Sequence, residues 1–247
     1  MRFLVFQHVA VEHPGAFRDL WRRAGIVWDT VAFDRGDAIR PLDRYDALVV
    51  LGGPMDVWEE AEHPWLVAEK RAIRRWVAEL GRPFLGICLG HQLLADALGG
   101  RVGRARLPEV GLSEVTLTAE GRNDPLFAGF HDGMDVFQWH AAEVTAVPAT
   151  ARVLASSAAC AVQALRFGRA AYGIQYHVEL TAATVREWRC LPAYAASLEG
   201  ALGADAAERL EDEVAQRLPQ FMEAAERLTA NFLAVASSCA VHHPVSF

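Results

Sequence analysis

Residues 83–98 read Pro83-Phe84-Leu85-Gly86-Ile87-Cys88-Leu89-Gly90-His91-Gln92-Leu93-Leu94-Ala95-Asp96-Ala97-Leu98. An apolar run of strand length passes through one cysteine into a segment of helical character that stops at Gly99-Gly100. A strand that turns at once into a helix lifts the residue at the turn clear of the sheet. Glycines two positions either side of Cys88 suit that turn, because backbone there approaches neighbouring strands where side chains would clash. A thiol at this place also faces the free N–H groups and the positive dipole end of the helix, which stabilise negative charge on sulfur. An isolated cysteine is more often a small buried hydrophobe; this setting makes Cys88 a candidate nucleophile instead.

Working outward, Phe3–Phe6 and Ala47–Leu51 are continuous apolar runs of the kind found in strands covered on both faces. Ile26–Phe33 supplies a further strand, and a helix is expected from Pro14 to Trp21. Pro64 suits a first helical position, with Leu66, Ile73, Val77 and Leu80 at helical spacing before Gly81 and Pro83. Strands alternating with helices predict a mostly parallel central sheet with helices on both faces, an α/β fold. Short strand-like runs between residues 100 and 170 predict a small antiparallel section. From about residue 181 the chain turns helical again, with Leu210, Val214 and Leu218 spaced i, i+4 and Pro219 expected to break the helix in two.

A thiol nucleophile needs a base, and the base an orienter. Tyr176-His177-Val178-Glu179 ends the last strand-like run, and residues i and i+2 of a strand face the same way. His177 can take and return the proton while Glu179 holds the imidazole. The backbone N–H of Leu89, next after the thiol, and the Gly52-Gly53 turn are candidate donors to an oxyanion.

Gly52-Gly53-Pro54, Gly86-Ile87-Cys88-Leu89-Gly90-His91-Gln92 and Gly173-Ile174-Gln175-Tyr176-His177-Val178-Glu179 together resemble the three signature blocks of class I glutamine amidotransferases, in that family's order. The resemblance covers about residues 1–190 and is nearest to free-standing proteins similar to the glutaminase domain of GMP synthase. It implies attack of Cys88 on the side-chain carboxamide of glutamine, a glutamyl thioester, and release of ammonia and then glutamate. Cys88, His177 and Glu179 would form the triad, and Gly53 and Leu89 the oxyanion hole. Gln92 matches the family glutamine that contacts substrate, and His140 a loop lining the glutamine pocket. Two departures stand out. The family usually has His-Pro-Glu where this chain has His177-Val178-Glu179, and His-Gly-Asp where it has His140-Ala141-Ala142.

The chain has 247 residues, 52% hydrophobic and 22% charged, with net charge −7. That composition fills a core and argues against binding the nucleic-acid backbone. Arg101, Arg104 and Arg106 are expected in a solvated loop. The four cysteines are widely spaced, with no zinc-finger pattern. Acid–base chemistry at a thiol needs no metal, and neither a metal nor a cofactor is expected. No stretch approaches the ~18–20 unbroken apolar residues of a membrane helix, and the opening residues turn polar too soon for a signal peptide. A cytoplasmic protein that binds neither nucleic acid nor membrane is expected. His8, His13, His63, His131, His242 and His243 sit in scattered polar contexts that predict surface positions, and His91 is read as packing.

Residues 1–192 are expected to form the amidotransferase-like domain and residues 193–247 a helical extension packed on it. There is no P-loop, no second nucleotide-binding loop, and no room for a synthetase in the last ~55 residues. The ammonia would therefore pass to a separate acceptor chain, or the substrate is another γ-glutamyl compound. Three alternatives remain at this level. They are a γ-glutamyl hydrolase or peptidase with the same triad, a catalytically idle binding or regulatory protein, and a transferase that passes the γ-glutamyl group to an amine.

Overall fold

The computed structural model describes residues 1–203 and 205–240. Among these, nine strands form one mixed sheet in the order β2-β1-β3-β4-β9-β8-β7-β5-β6. The strands are β1 (Arg2–Gln7), β2 (Val27–Ala32), β3 (Ala47–Val50), β4 (Phe84–Ile87), β5 (Arg101–Leu117), β6 (Gly133–Ala146), β7 (Arg152–Ser156), β8 (Ala164–Phe167) and β9 (Ala171–Ile174). The half from β2 to β9 is parallel throughout. The half from β9 to β6 is antiparallel.

The parallel strands carry apolar side chains on both faces because both faces are covered. Phe3, Val5, Val49, Leu85 and Ile87 point into one core with α1 (Phe17–Arg23) and the last helix. Leu4, Phe6, Leu48, Val50 and Phe84 point into another with α2 (Trp65–Arg74) and α3 (Leu89–Ala97). Burial of a side chain such as Phe3 or Phe84 contributes about 1.5–3 kcal/mol. The helix expected from Pro64 ends in a π-helical turn at Arg75–Glu79, where the Trp76 indole N–H donates to the Pro83 carbonyl at 2.8 Å.

The antiparallel half departs most from expectation. The sequence predicts only short strand-like runs in this part of the chain, yet β5 and β6 run 17 and 14 residues. Much of β5 is exposed or half-buried and lacks the alternation that betrays a one-faced strand. Arg101, Arg104 and Arg106 lie on this strand, exposed, rather than in a loop. The register shifts between Arg104 and Glu109, around Pro108, which has no N–H for the ladder.

A short helix, α4 (Ala119–Arg122), lies between β5 and β6 in sequence. After β9 come α5 (Thr184–Trp188), α6 (Pro192–Leu202) and α7 (Ala206–Ala240). The expected break at Pro219 does not occur, and α7 runs through it. Pro219 and Ala215, whose carbonyl loses its helical partner, both lie on the exposed face, where water can replace the missing bond. On the opposite face Leu210, Val214, Phe221, Leu228 and Phe232 are buried and hold both halves of the helix to the core, with Leu218 half-buried.

Candidate active site

Strands β1, β3, β4 and β9 are neighbours and parallel, so the chain leaves all four at one edge. Just beyond that edge come His8 and Glu12 after β1, Gly52 and Gly53 after β3, Cys88 after β4, and Gln175, His177 and Glu179 after β9. Three motifs far apart in sequence thereby meet.

Cys88 has φ 52° and ψ −104°, and is the non-glycine residue of positive φ among those described. Such backbone stores about 1–3 kcal/mol of strain. Its N–H donates to the Ile174 carbonyl at 2.8 Å, tying the turn to β9. The flanking glycines are required by contact, since a Cβ on Gly86 would lie 2.4 Å from the Gly90 carbonyl oxygen and one on Gly90 2.1 Å from that of Val50. Leu89 is the first residue of α3, so its N–H has no acceptor one turn back.

His177 Nδ1 donates to Glu179 Oε1 at 2.6 Å. The Val178 N–H donates to the other carboxylate oxygen at 3.0 Å, a bond that proline at this position could not make. Backbone bonds to Phe137 on β6 hold His177 from both sides. The imidazole is wholly buried, with Trp188 set edge-on and 4.7 Å between ring centres. Burial alone would lower its pKa. The Glu179 carboxylate and the Cys88 sulfur outweigh burial and hold it well above the ordinary value of 6.5.

Cys88, Leu89, Gln92, Gly53, Trp139 and His140 line a cavity of about 150 Å³, with Tyr194 of α6 also in its wall. That is below the ~300–1,000 Å³ of pockets for larger ligands. Gln92 donates to the Ala142 carbonyl at 3.0 Å and to Gln175 Oε1 at 3.1 Å, and Gln175 in turn faces the Cys88 sulfur at 3.6 Å. His140 Nδ1 donates to the Ala142 carbonyl at 3.0 Å, with Glu109 3.2 Å from Nε2. The Gln92 and His140 side chains therefore reach the cavity already committed to protein partners.

All seven residues singled out from sequence lie at this edge. Several others escaped that reading. Tyr194 donates its hydroxyl to buried Glu12. Burial raises the Glu12 pKa, while nearby His177 and the Tyr194 hydroxyl oppose the rise. His8, expected at the surface, is fully buried against the stacked rings of Phe33 and Trp65 and pairs with Glu69. His13 and His63 are half-buried and His131 is exposed. His242 and His243 lie outside the described residues. Helix α3 buries His91 completely, and burial lowers its pKa to about 3. All four cysteines are free, Cys160 buried and Cys190 exposed. Among the described residues no helix is long and apolar enough to cross a membrane.

A thiol on a strained strand-to-helix turn, facing a buried imidazole–carboxylate pair, defines a cysteine-dependent hydrolase of α/β type. The family model described as "Glutamine amidotransferase class-I" matches residues 18–187, and the chain belongs to that family. It is 38% identical over 143 residues to the glutamine-hydrolyzing GMP synthase subunit of Saccharolobus solfataricus, covering 58% of this chain and 71% of that one. It is 35% identical over 191 residues to the glutamine amidotransferase-like protein YfeJ of Salmonella typhimurium, covering 75% and 78%. The crystal structure of a glutamine amidotransferase from Thermotoga maritima superposes with a TM-score of 0.83 at 30% identity, covering 94% of this chain and 97% of the other. The protein is a class I glutamine amidotransferase, a cysteine-dependent amide hydrolase.

Proposed function

We propose that the protein hydrolyses the side-chain amide of glutamine through Cys88, His177 and Glu179. The observation that carries this reading is the convergence of thiol, imidazole and carboxylate at one edge of the sheet, with the thiol in a cavity sized for a short amide side chain. His177 takes the thiol proton as the Cys88 sulfur bonds to the carboxamide carbon. The negative oxygen is received by the N–H groups of Gly53 and Leu89. His177 then gives the proton to the amide nitrogen, the C–N bond breaks, and ammonia leaves behind a glutamyl thioester. Water adds to the thioester carbon, giving one proton to His177, which returns it to the departing sulfur, and glutamate is released. Glu179 fixes the tautomer and stabilises the imidazolium throughout. Gln92 and His140 shape the substrate pocket.

We assign the ammonia to an acceptor reaction on a separate synthetase chain, as the names of the GMP synthase relatives support. The free cysteines support a reducing, cytoplasmic setting. The small volume of the cavity favours free glutamine over longer γ-glutamyl peptides.

The test is glutamate release from glutamine and from γ-glutamyl amides of increasing bulk. Glutamine is expected to yield equal glutamate and ammonia, with the yield lost in Cys88→Ala. Preferential cleavage of the bulkier amides would overturn the assignment.

A further inference from the structure

His8 and Glu69 lie outside the chemistry just described, yet both are fully buried directly behind the Gly52-Gly53 turn. His8 Nδ1 lies 2.7 Å from the Gly52 carbonyl oxygen, which can only accept, so this nitrogen carries a proton. His8 Nε2 lies 3.0 Å from Glu69 Oε1. The ring packs beside Phe33 and Trp65, with centroids 5.8 and 5.4 Å away, while those two rings stack on each other at 4.8 Å, so hydrogen bonds at both nitrogens and aromatic contact hold it in place. Burial opposes a charge on His8, but Glu69 and the Gly52 carbonyl outweigh it and raise its pKa. Burying such a pair is costly, and a buried pair is often no more stabilising than apolar residues of the same shape. Stability is thus a weak reason for it.

The carbonyl of Gly52 and the N–H of Gly53 belong to one peptide unit. No peptide bond among the described residues is cis, so the two groups point in opposite directions. Fixing the carbonyl towards His8 fixes the N–H away from it, on the side where Gly53, Cys88 and Leu89 line the cavity. A glycine pair would otherwise let this peptide turn over readily. Gly53 has no space for a side chain, since a Cβ there would lie 3.0 Å from the Cβ of His8 and 2.8 Å from Met55 Sδ. The position needs glycine for contact, and something else must supply the rigidity.

We propose that His8, held by Glu69, is a positioning residue that locks the Gly52-Gly53 peptide with the Gly53 N–H aimed at the developing oxyanion. This deepens the glutaminase reading and rests on it. A donor locked in place before reaction stabilises the transition state without binding glutamine more tightly. Loss of the lock therefore lowers kcat and spares KM.

The experiment compares wild type with His8→Leu/Glu69→Gln, which removes the lock without stranding a carboxylate, and with His8→Asn/Glu69→Gln. The asparagine returns an amide N–H near the place of Nδ1. Glutamine hydrolysis is followed alongside alkylation of Cys88 by iodoacetamide, a displacement at carbon that forms no oxyanion. The leucine variant is expected to lose about tenfold to a hundredfold in kcat, part of the roughly 10²–10³ ascribed to a whole oxyanion donor. Its KM should stay within about twofold, its alkylation rate should match wild type, and the asparagine variant should recover much of the loss. If the leucine variant does not fold, Glu69→Gln alone serves, with a smaller fall in kcat at constant KM. Unchanged kcat, or kcat and alkylation falling together, would overturn the lock while leaving wild-type turnover standing. A wild-type protein that does not turn over glutamine would instead overturn the glutaminase reading and the lock with it.

Discussion

His177 Nδ1 and Glu179 Oε1 lie 2.6 Å apart across a single residue, whose own N–H fixes the second carboxylate oxygen. The carboxylate is thus held twice within three residues, and the imidazole it serves has its orientation set before any substrate arrives.

Removing the charge in Glu179→Gln takes away the group that most raises the pKa of His177. That pKa should fall, read by ring-nitrogen NMR, and turnover should drop by about a hundredfold or more. The stability effect has a definite sign. A raised folded-state pKa means that His177 contributes stability that is complete below its ordinary 6.5 and is lost as pH rises through the folded value. The variant should therefore lose stability mainly on the acid side, in melts taken across pH.

Cys88 occupies backbone that glycine tolerates and other residues do not. Cys88→Gly should be more stable than Cys88→Ala, by up to about 1–3 kcal/mol, because the two differ only by the Cβ that carries the strain. Denaturant melts of the two variants measure this. Equal stability would mean that the turn is relaxed.

Tyr194→Phe leaves the buried Glu12 carboxyl without its hydroxyl partner. A loss of about 1–3 kcal/mol is expected. Glu12→Gln in the same chain should recover part of it, and a double-mutant cycle isolates the pair term.

His91 is kept neutral by burial, with a pKa of about 3 against 6.5 when exposed. The unfolded chain binds the proton first, so this residue makes stability fall as pH drops below 6.5, by up to about 1.4 kcal/mol per pH unit. In His91→Asn that component is absent. The stability deficit of the variant at neutral pH should narrow between pH 6.5 and 4.

We place the domain boundary at residues 192/193, with the helices beyond it serving as cover. Cutting the chain at 192 should bare the apolar surface under Phe221, Leu228 and Phe232 and bring self-association, read by light scattering and dye binding. A soluble monomer after truncation would contradict that boundary.

The parts of the site legible in sequence were those written locally. Cys88 between its glycines and His177 two residues before Glu179 each declare their geometry over a few positions, and the apolar runs of β1, β3 and β4 declare a doubly covered sheet. Glu12 and Tyr194 meet across 182 residues, and His8 and Glu69 across 61, so nothing local marks them. His8 looked like a surface histidine because its partner is an acid on α2, far along the chain. The length of β5 was hidden by exposure on both faces. Pro219 misled because its cost depends on which face of the helix it occupies, and here Pro219 and Ala215 are both on the exposed face.

The most direct test of the central claim is intact-mass labelling with a glutamine analogue bearing an electrophile at the amide position, on wild type and Cys88→Ala. A single adduct on wild type, absent from Cys88→Ala and blocked by excess glutamine, is the expected result. An adduct that persists in Cys88→Ala, or that glutamine does not prevent, would contradict the assignment of Cys88 as the nucleophile of a glutamine site.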